Sequence, residues 1–293
     1  MTRIKWTKSL SLTILGSLLC FVFPASPSAE IHGAQNGAEI PFKLYNDYLI
    51  IVKGTIGSIE NVNIVLDTGE SPTAISEEIA KELSLQGDRE SMLLLNGKID
   101  VQSVVLPRIQ IGAIQAESIR VVVQDLSYVE RKLGISLGGI AGLDILSGHS
   151  FMIDYWKGKI AFAPAQAARK SVRFERQKPF LTVKVRVDGQ EVRLLVDSGT
   201  AGLLIYRKRL MTTLEPLRTR QDALISTGAG SMRTAWFHAS RVSLGKENLG
   251  PHIMLAADVD PDPRYEFDGL LGFAKMGFRK VWFDFENGML GWD

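Results

Sequence analysis

Hydrophobic and polar positions alternate in two separate parts of the chain, and each part ends at an aspartate. Residues 183–187 place valine at every second position with basic residues between, which is the period of a half-buried β-strand. An Asp-Gly pair then supplies a two-residue hairpin turn, and the alternation resumes along a return strand to Asp197. Residues 40–66 have the same layout and lead to Asp67. The pattern therefore predicts two β-hairpins that each deliver an aspartate to a loop.

A short helix is predicted after each aspartate loop. Ser76 is a suitable N-cap because two glutamates follow it in the first turn, and apolar residues at 75, 79 and 83 share one face. In the second half, leucines within residues 210–217 give a similar face. Further strands are predicted over residues 104–111, 119–123, 151–154, 159–162, 233–244, 281–285 and 289–292. These elements predict an all-β fold with short helices.

The two aspartate loops belong to a longer internal repeat. Asp67-Thr68-Gly69 and Asp197-Ser198-Gly199 stand 130 residues apart. Three later pairs keep the same spacing: Gly142 and Gly272, Asp154 and Asp284, and Gly158 and Gly288. One such tripeptide would be a chance match, whereas two in register with three other pairs predict a duplicated unit. A chain of 293 residues is long enough for two domains of ordinary size.

We expect four segments: a signal peptide over residues 1–29, an N-terminal lobe over 30–163, a linker over 164–178 and a C-terminal lobe over 179–293. The first segment has three basic residues, an uncharged and mostly apolar run of 14 residues, and then small residues and prolines, which is the pattern of a secretory signal. The only cysteine, Cys20, lies in the apolar run, so the mature protein would contain no disulfide. This combination is typical of the bacterial periplasm. We therefore expect a secreted or periplasmic protein that contacts the membrane, if at all, only through an uncleaved signal.

Composition argues against several classes of function. The net charge is only +2, and it falls close to zero without the signal, so no surface for nucleic acid is expected. The four histidines lack the spacing of metal ligands, and neither a metal nor a cofactor is predicted. Residues 258–262 resemble the start of a calcium loop, but Pro263 and Gly269 occupy the positions that need glycine and glutamate. Residues 134–138 match the serine-hydrolase G-x-S-x-G motif without the preceding strand that this motif requires.

Two aspartates that meet between duplicated halves can act as an acid and a base. Carboxylates held a few ångströms apart cannot both ionise easily, so one pKa rises and the other falls. One member then accepts a proton from water, while the other protonates a carbonyl oxygen and later the leaving nitrogen. The predicted catalytic residues are Asp67 and Asp197. The residues expected to support the pair are the hydroxyl-bearing residues and glycines beside them: Thr68, Gly69, Ser198, Gly199 and Thr200.

At these residues the chain resembles the retropepsin-like aspartic proteases, the family of the retroviral proteases and their bacterial relatives, and more distantly pepsin. The resemblance covers residues 45–162 and 178–293, and it rests on four segments: 66–69, 139–144, 195–200 and 269–272. It implies two β-barrel lobes related by a pseudo-two-fold axis, with Asp67 and Asp197 as the catalytic dyad. It also implies a peptide or protein substrate and a flap, a glycine-rich hairpin that closes over the substrate. The flap residues would be Thr227, Gly228, Ala229 and Gly230.

Two departures from the family pattern keep alternatives open. Glu70 stands where serine, threonine or alanine is usual, and residues 93–98, at the place of a first flap, contain one glycine. The main hypothesis is an exported aspartic endopeptidase that completes its dyad within one chain. One alternative is a homodimeric protease that pairs two copies of Asp197. Another is a non-catalytic peptide-binding protein on the same fold.

Overall fold

The computed structural model describes residues 30–32, 38–94, 97–162, 168–177, 179–210, 222–227, 230–258 and 266–293. Within these ranges the protein is mostly β, as predicted, and its helices are short. The helices are α1 (Glu77–Glu82), α2 (Ser127–Leu133), α3 (Leu143–Leu146), α4 (Arg207–Leu210) and a 3-10 helix (Ala274–Met276).

The strands of the two halves follow one another in the same order. Those of the first half are β1 (Glu30–His32), β2 (Ala38–Pro41), β3 (Lys43–Tyr45), β4 (Leu49–Ile56), β5 (Ile59–Leu66), β6 (Ala74–Ser76), β7 (Gly87–Leu94), β8 (Gly97–Ile111), β9 (Ile114–Gln124), β10 (Gly139–Ala141), β11 (Phe151–Asp154) and β12 (Lys159–Phe162). Those of the second half are β13 (Lys170–Arg173), β14 (Glu175–Gln177), β15 (Phe180–Val187), β16 (Gln190–Val196), β17 (Leu203–Tyr206), β18 (Asp222–Thr227), β19 (Gly230–Leu244), β20 (Glu247–Ala257), β21 (Gly269–Leu271), β22 (Lys280–Asp284) and β23 (Met289–Trp292).

Each half closes its main sheet into a six-stranded barrel. The first sheet has the order β1-β9-β6-β10-β5-β4-β8-β7, and an additional pairing of β8 with β9 closes the six strands between them. The second has the order β14-β15-β16-β21-β17-β20-β19-β18, and a pairing of β15 with β19 closes it in the same way. The matching orders confirm the duplicated unit that the repeat predicted and the two β-barrel lobes that the resemblance implied.

The hairpin that leads to Asp197 has the predicted geometry. Strand β15 pairs antiparallel with β16, and the turn between them lies at Asp188-Gly189. The alternating valines of β15, Val183, Val185 and Val187, are buried in the core. Burial of every second side chain fixes the register, because a shift by one residue would turn the valines towards solvent.

A third sheet joins the two halves. Its order is β13-β23-β22-β11-β12-β2, so three strands of the second half lie beside three strands of the first. The junction is the antiparallel pair of β11 and β22, where the rings of Phe151 and Phe283 stack with centroids 4.7 Å apart. Strands β13 and β14 lie inside the segment predicted as a linker, and both are paired.

Two predictions fall outside the described residues: the signal peptide over residues 1–29 and most of the helix expected within residues 210–217. No helix in the described part of the chain is both long enough and apolar enough to span a membrane.

Candidate active site

The two aspartates occupy equivalent positions at the ends of β5 and β16. Strand β10 runs parallel to β5 and strand β21 runs parallel to β16. The amide of Asp67 donates to the carbonyl oxygen of Ala141 at 3.0 Å, and the amide of Asp197 donates to that of Leu271, also at 3.0 Å. The same main-chain contact therefore fixes each aspartate to the strand that ends beside it.

Reciprocal hydrogen bonds lock the two aspartate loops together. The hydroxyl of Thr68 accepts from the amide of Ser198 at 3.0 Å and donates to the carbonyl oxygen of Val196 at 3.0 Å. The hydroxyl of Ser198 accepts from the amide of Thr68 at 3.0 Å and donates to the carbonyl oxygen of Leu66 at 3.2 Å. All four bonds are buried and cross between the halves, so the structure brings these two predicted residues together.

The carboxyl groups of Asp67 and Asp197 lie side by side, because the amide of Gly199 donates to an oxygen of each. Both residues are buried, with 4% of Asp67 and none of Asp197 exposed. Glycine permits this approach: a Cβ atom at Gly69 would lie 2.7 Å from Cγ of Asp197, and one at Gly199 would lie 2.1 Å from Oδ2 of Asp67. Any larger residue at either glycine would push the carboxyl groups apart.

Different donors hold the two carboxyl groups. Both amides that donate to Asp67 converge on Oδ1, from Gly69 at 2.7 Å and from Gly199 at 3.2 Å. On Asp197, Oδ1 accepts from the amide of Gly199 at 2.8 Å and Oδ2 accepts from the hydroxyl of Thr200 at 2.7 Å. Among the residues that the structure describes, donors reach both oxygens of Asp197 and one oxygen of Asp67, so the pair is asymmetric.

The environment raises the pKa of Asp67 well above its ordinary value. Burial is the largest cause, and the neighbouring charge of Asp197 and the hydrogen bond to it act in the same direction. The amides of Gly69 and Gly199 partly oppose the shift because they stabilise the ionised form. Such a pair binds one proton over a wide pH range, which is the state that can supply an acid and a base together.

Glu70, the departure noted in the sequence, is completely buried. The repeat spacing makes it the counterpart of Thr200, whose hydroxyl binds Asp197. Two hydrogen bonds fix the main chain of Glu70. Its amide donates to the carbonyl oxygen of Asp67, and its carbonyl oxygen accepts from the amide of Leu143. The first lobe thus buries a third carboxyl group where the second lobe has a hydroxyl.

A polar network that the sequence reading missed supports the first aspartate loop. Asp144 accepts hydrogen bonds from both the amide and the hydroxyl of Thr73, each at 2.8 Å. The hydroxyl of Thr73 in turn accepts from the amide of Gly142 at 3.0 Å. Burial raises the pKa of Asp144, although these donors oppose the shift. The network ties α3 to the segment that follows the aspartate loop.

Two buried tyrosine hydroxyls near the aspartates were also missed. Within the described residues, neither the hydroxyl of Tyr155 nor that of Tyr206 has a hydrogen-bond partner. Burial raises both pKa values; the charges of Asp197 and Asp67 add to the shift of Tyr155, and that of Asp197 adds to the shift of Tyr206. By the repeat spacing, Phe285 is the residue of the second lobe equivalent to Tyr155. The extra hydroxyl of Tyr155 is the one sequence difference that could have drawn attention to this residue.

Both lobes have a hairpin at the position of a flap. In the first lobe β7 pairs with β8 up to Leu94 and Gly97, and in the second lobe β18 pairs with β19 up to Thr227 and Gly230. The predicted flap residues Gly228 and Ala229 lie outside the described residues. The single glycine in residues 93–98 is therefore sufficient for a hairpin in the first lobe.

Comparison with protein families gives two matches in the chain. The aspartyl protease family matches residues 52–145 and again residues 183–274, which together are more than half of the chain. The chain belongs to the aspartyl protease family. Each match falls within one barrel and includes one aspartate loop.

One solved structure similar to this aspartyl protease is the crystal structure of a retropepsin-like aspartic protease from Rickettsia conorii. It is 15% identical in sequence, covers 41% of this chain and 97% of its own, and has a TM-score of 0.32. No curated protein matches the chain. Among the described residues, no group of three or more histidine, cysteine, aspartate or glutamate side chains is arranged to hold a metal ion.

Proposed function

We propose that this protein is an aspartic endopeptidase that hydrolyses peptide bonds with a water activated between Asp67 and Asp197. The observation that carries the proposal is that these two buried carboxyl groups, one from each repeat, lie side by side and accept hydrogen bonds from the same amide, that of Gly199. Membership of the aspartyl protease family supports protease activity independently of that geometry.

The asymmetry of the pair suggests which aspartate holds the proton. Asp197 is the ionised member because the hydroxyl of Thr200 and the amide of Gly199 stabilise negative charge on its two oxygens. Asp67 is the protonated member, since its pKa is raised and its amide donors reach Oδ1 alone. The proton then resides on Oδ2 of Asp67.

The reaction needs two proton transfers and no covalent enzyme intermediate. In the first step the oxygen of the water bonds to the peptide carbonyl carbon while Asp197 takes a proton from that water. Asp67 gives its proton to the carbonyl oxygen in the same step. In the second step the carbon–nitrogen bond breaks, the leaving nitrogen takes the proton held by Asp197, and a hydroxyl of the tetrahedral intermediate returns a proton to Asp67. The products are a carboxylic acid and an amine, and the pair ends in its starting state.

The substrate we propose is an extended peptide that lies between the two barrels. The β7–β8 and β18–β19 hairpins provide a strand edge in each lobe, and an extended peptide can bind to such an edge by main-chain hydrogen bonds. Successive side chains of the peptide would then point to opposite sides of its backbone and enter separate pockets, which would make cleavage selective for the peptide sequence.

The intramolecular dyad is favoured over a homodimer that pairs two copies of Asp197. Asp67 and Asp197 of the same chain already accept hydrogen bonds from one amide, that of Gly199, and Thr68 and Ser198 lock their loops. A second copy of Asp197 would have to displace this arrangement.

The proposal is tested by incubating the protein with a peptide mixture from pH 3 to pH 7 and identifying new termini by mass spectrometry. We expect cleavage by the wild type, inhibition by a statine-type transition-state mimic, and a loss of at least about 100-fold in kcat/KM for Asp197→Asn. Asp47→Asn, a change in an exposed turn, is the control and should retain activity. Tight peptide binding without turnover would instead establish the non-catalytic alternative.

We also propose that the protein is exported by its N-terminal 29 residues. The support is the basic, apolar and small-residue order of that segment. N-terminal sequencing of protein recovered from the periplasm of an expressing bacterium should start near residue 30. An intact N-terminus in the cytoplasmic fraction would contradict export.

A further inference from the structure

A charged groove lies at a corner of the second barrel, where the β15–β16 turn, strand β19 and the β19–β20 turn meet. It encloses 690 Å³ and is lined by two arginines, a lysine, a serine, an aspartate and the glycines of both turns. Arg186 of β15 stands directly opposite Ser243 of β19. Arg241 lies two residues before Ser243 and faces the same way, because Val242 and Leu244 are buried in the core. Lys246 completes the groove from the next turn.

The three cations of this groove, Arg186, Arg241 and Lys246, are not neutralised by the protein. Within the described part of the chain, none of their side chains makes a hydrogen bond or an ion pair. Two of the three carboxylates on these elements are paired with other lysines, Glu191 with Lys184 at 3.0 Å and Glu247 with Lys170 at 3.2 Å. The third, Asp188, lines the groove and accepts from the amide of Arg241 at 2.8 Å, so three cations face one carboxylate there. The groove therefore concentrates positive charge on a protein whose net charge is close to zero.

The duplicated half provides an internal comparison for this corner. Strand β4 pairs with β8 as β15 pairs with β19, and the turn glycines Gly112 and Gly245 have similar positive φ angles of 56° and 60°. The pairing defines four equivalent positions: Thr55 and Arg186, Gln110 and Ser243, Arg108 and Arg241, and Ala113 and Lys246. Only one of the four is basic in the first lobe, and three are basic in the second.

The single arginine of the first-lobe corner is satisfied internally. Arg108 donates to the side-chain oxygen of Gln115 at 2.9 Å and also to that of Gln110. The positive charge in the second lobe is therefore not a requirement of the barrel corner, since the same fold closes in the first lobe with one arginine whose guanidinium group binds two glutamines.

We propose that this groove is a binding site for a phosphate-bearing anion. Two guanidinium groups can each form paired hydrogen bonds with phosphate oxygens, a lysine adds a point charge, and the hydroxyl of Ser243 adds a donor. The volume of 690 Å³ is far larger than one phosphate group and lies in the range of sites for small organic ligands, so the anion carries an organic part. The ligand is a free organic phosphate or the headgroup of an anionic phospholipid, which share this chemistry.

The groove is separate from the aspartates. Glu191, which pairs across the hairpin with Arg186, lies six residues before Asp197 along β16. At about 3.3 Å per residue this is roughly 20 Å, so an anion in the groove does not enter the proposed catalytic cleft. The proposal therefore does not depend on peptidase activity, and Asp197→Asn should bind the anion as the wild type does.

Calorimetric titration with inorganic pyrophosphate at constant ionic strength tests the site. We expect saturable binding by the wild type, at least tenfold weaker binding by an Arg186→Gln/Arg241→Gln variant, and unchanged binding by Arg108→Gln, the matched variant in the other lobe. Since both substituted arginines are exposed, the variant should fold, which circular dichroism and the Tm confirm. Lys246→Gln gives an independent second variant with the same expected direction.

Sedimentation with lipid vesicles separates the two sources of phosphate. A phospholipid ligand predicts co-sedimentation with phosphatidylglycerol vesicles, not with phosphatidylcholine vesicles, and release by pyrophosphate. A soluble ligand predicts pyrophosphate binding without co-sedimentation. The proposal is overturned if the wild type shows no saturable binding to either probe, or if the double variant binds as well as the wild type.

Discussion

At the residue scale, two glycines and two hydroxyl-bearing residues define the geometry of the aspartate pair. Gly69 and Gly199 leave room for the opposite carboxyl group, while Thr68 and Ser198 bind the main chain of the opposite loop. These side chains are buried, so each hydrogen bond that is lost leaves a polar main-chain group without water. The stability of the molecule and the position of the dyad therefore depend on the same atoms.

Thr68→Val tests this dependence because valine keeps the shape and removes the hydroxyl. The amide of Ser198 and the carbonyl oxygen of Val196 would both lose a partner. We expect the free energy of unfolding to fall by about 2–6 kcal/mol, from about 1–3 kcal/mol for each of the two buried groups left unsatisfied. Urea unfolding measures it, with Thr55→Val as a control on strand β4. Equal stability of the two variants would show that the reciprocal bonds contribute nothing.

The raised pKa of Asp67 predicts how stability varies with pH. The folded protein binds this proton more tightly than the unfolded chain, so the stabilisation is complete below the unfolded pKa of about 3.9 and is lost as pH rises through the folded pKa. Asp144, whose pKa is also raised, acts in the same direction. Asp67→Asn removes the first contribution. We expect its unfolding free energy at pH 7 to exceed that of the wild type, because the unfolded chain no longer gains from ionising this carboxyl group.

Urea unfolding at pH 4.5 and pH 7 measures this difference. Asp125→Asn is the control, because hydrogen bonds from Ser127 lower the pKa of Asp125 and its stabilisation is present above the unfolded pKa. Removing that carboxylate should not stabilise the protein at pH 7. If Asp67→Asn is less stable than the wild type at pH 7, the raised pKa is contradicted.

At the element scale, hydrophobic alternation and helix-capping residues were sufficient to predict some strands and helices from the sequence. The valine alternation of β15 and the N-cap at Ser76 were predicted, and the structure has both. Strand β20 was missed, although it packs against β19, because its first half is polar and half-exposed and shows no regular alternation. The pairing of β11 with β22 was also beyond prediction, since the partners are more than a hundred residues apart and no local residue specifies the register.

The helix α1 offers a direct test of a local signal. The hydroxyl of Ser76 accepts from the amide of Ile79 at 3.2 Å, which satisfies one of the free donors at the start of the helix. Ser76→Ala should reduce the unfolding free energy by about 1 kcal/mol. Ser58→Ala, in an exposed turn, should change it by less than about 0.5 kcal/mol. Differential scanning calorimetry of both variants makes the comparison, and equal Tm values would argue against the cap.

At the scale of the whole molecule, duplication explains both what the sequence revealed and what it concealed. The repeated Asp-Thr-Gly and Asp-Ser-Gly loops predicted the pair of aspartates, since two copies in register imply equivalent positions. Residues that differ between the copies could be noticed in the sequence, as Glu70 was, but the repeat assigned them no partner. The buried Glu70, the hydroxyl of Tyr155 and the bond between Thr73 and Asp144 occur in one lobe only, so their roles emerge only from the three-dimensional contacts.

The central claim is that Asp67 and Asp197 of one chain act together on one peptide bond. The most direct test is kcat/KM for peptide cleavage by Asp67→Asn and Asp197→Asn, each alone and after mixing in equal amounts. An intramolecular dyad predicts a loss of at least about 100-fold for each variant and no recovery in the mixture. Activity of Asp67→Asn near that of the wild type, or recovery of activity on mixing, would contradict the account, because either result requires an aspartate pair formed between two chains or no pair at all.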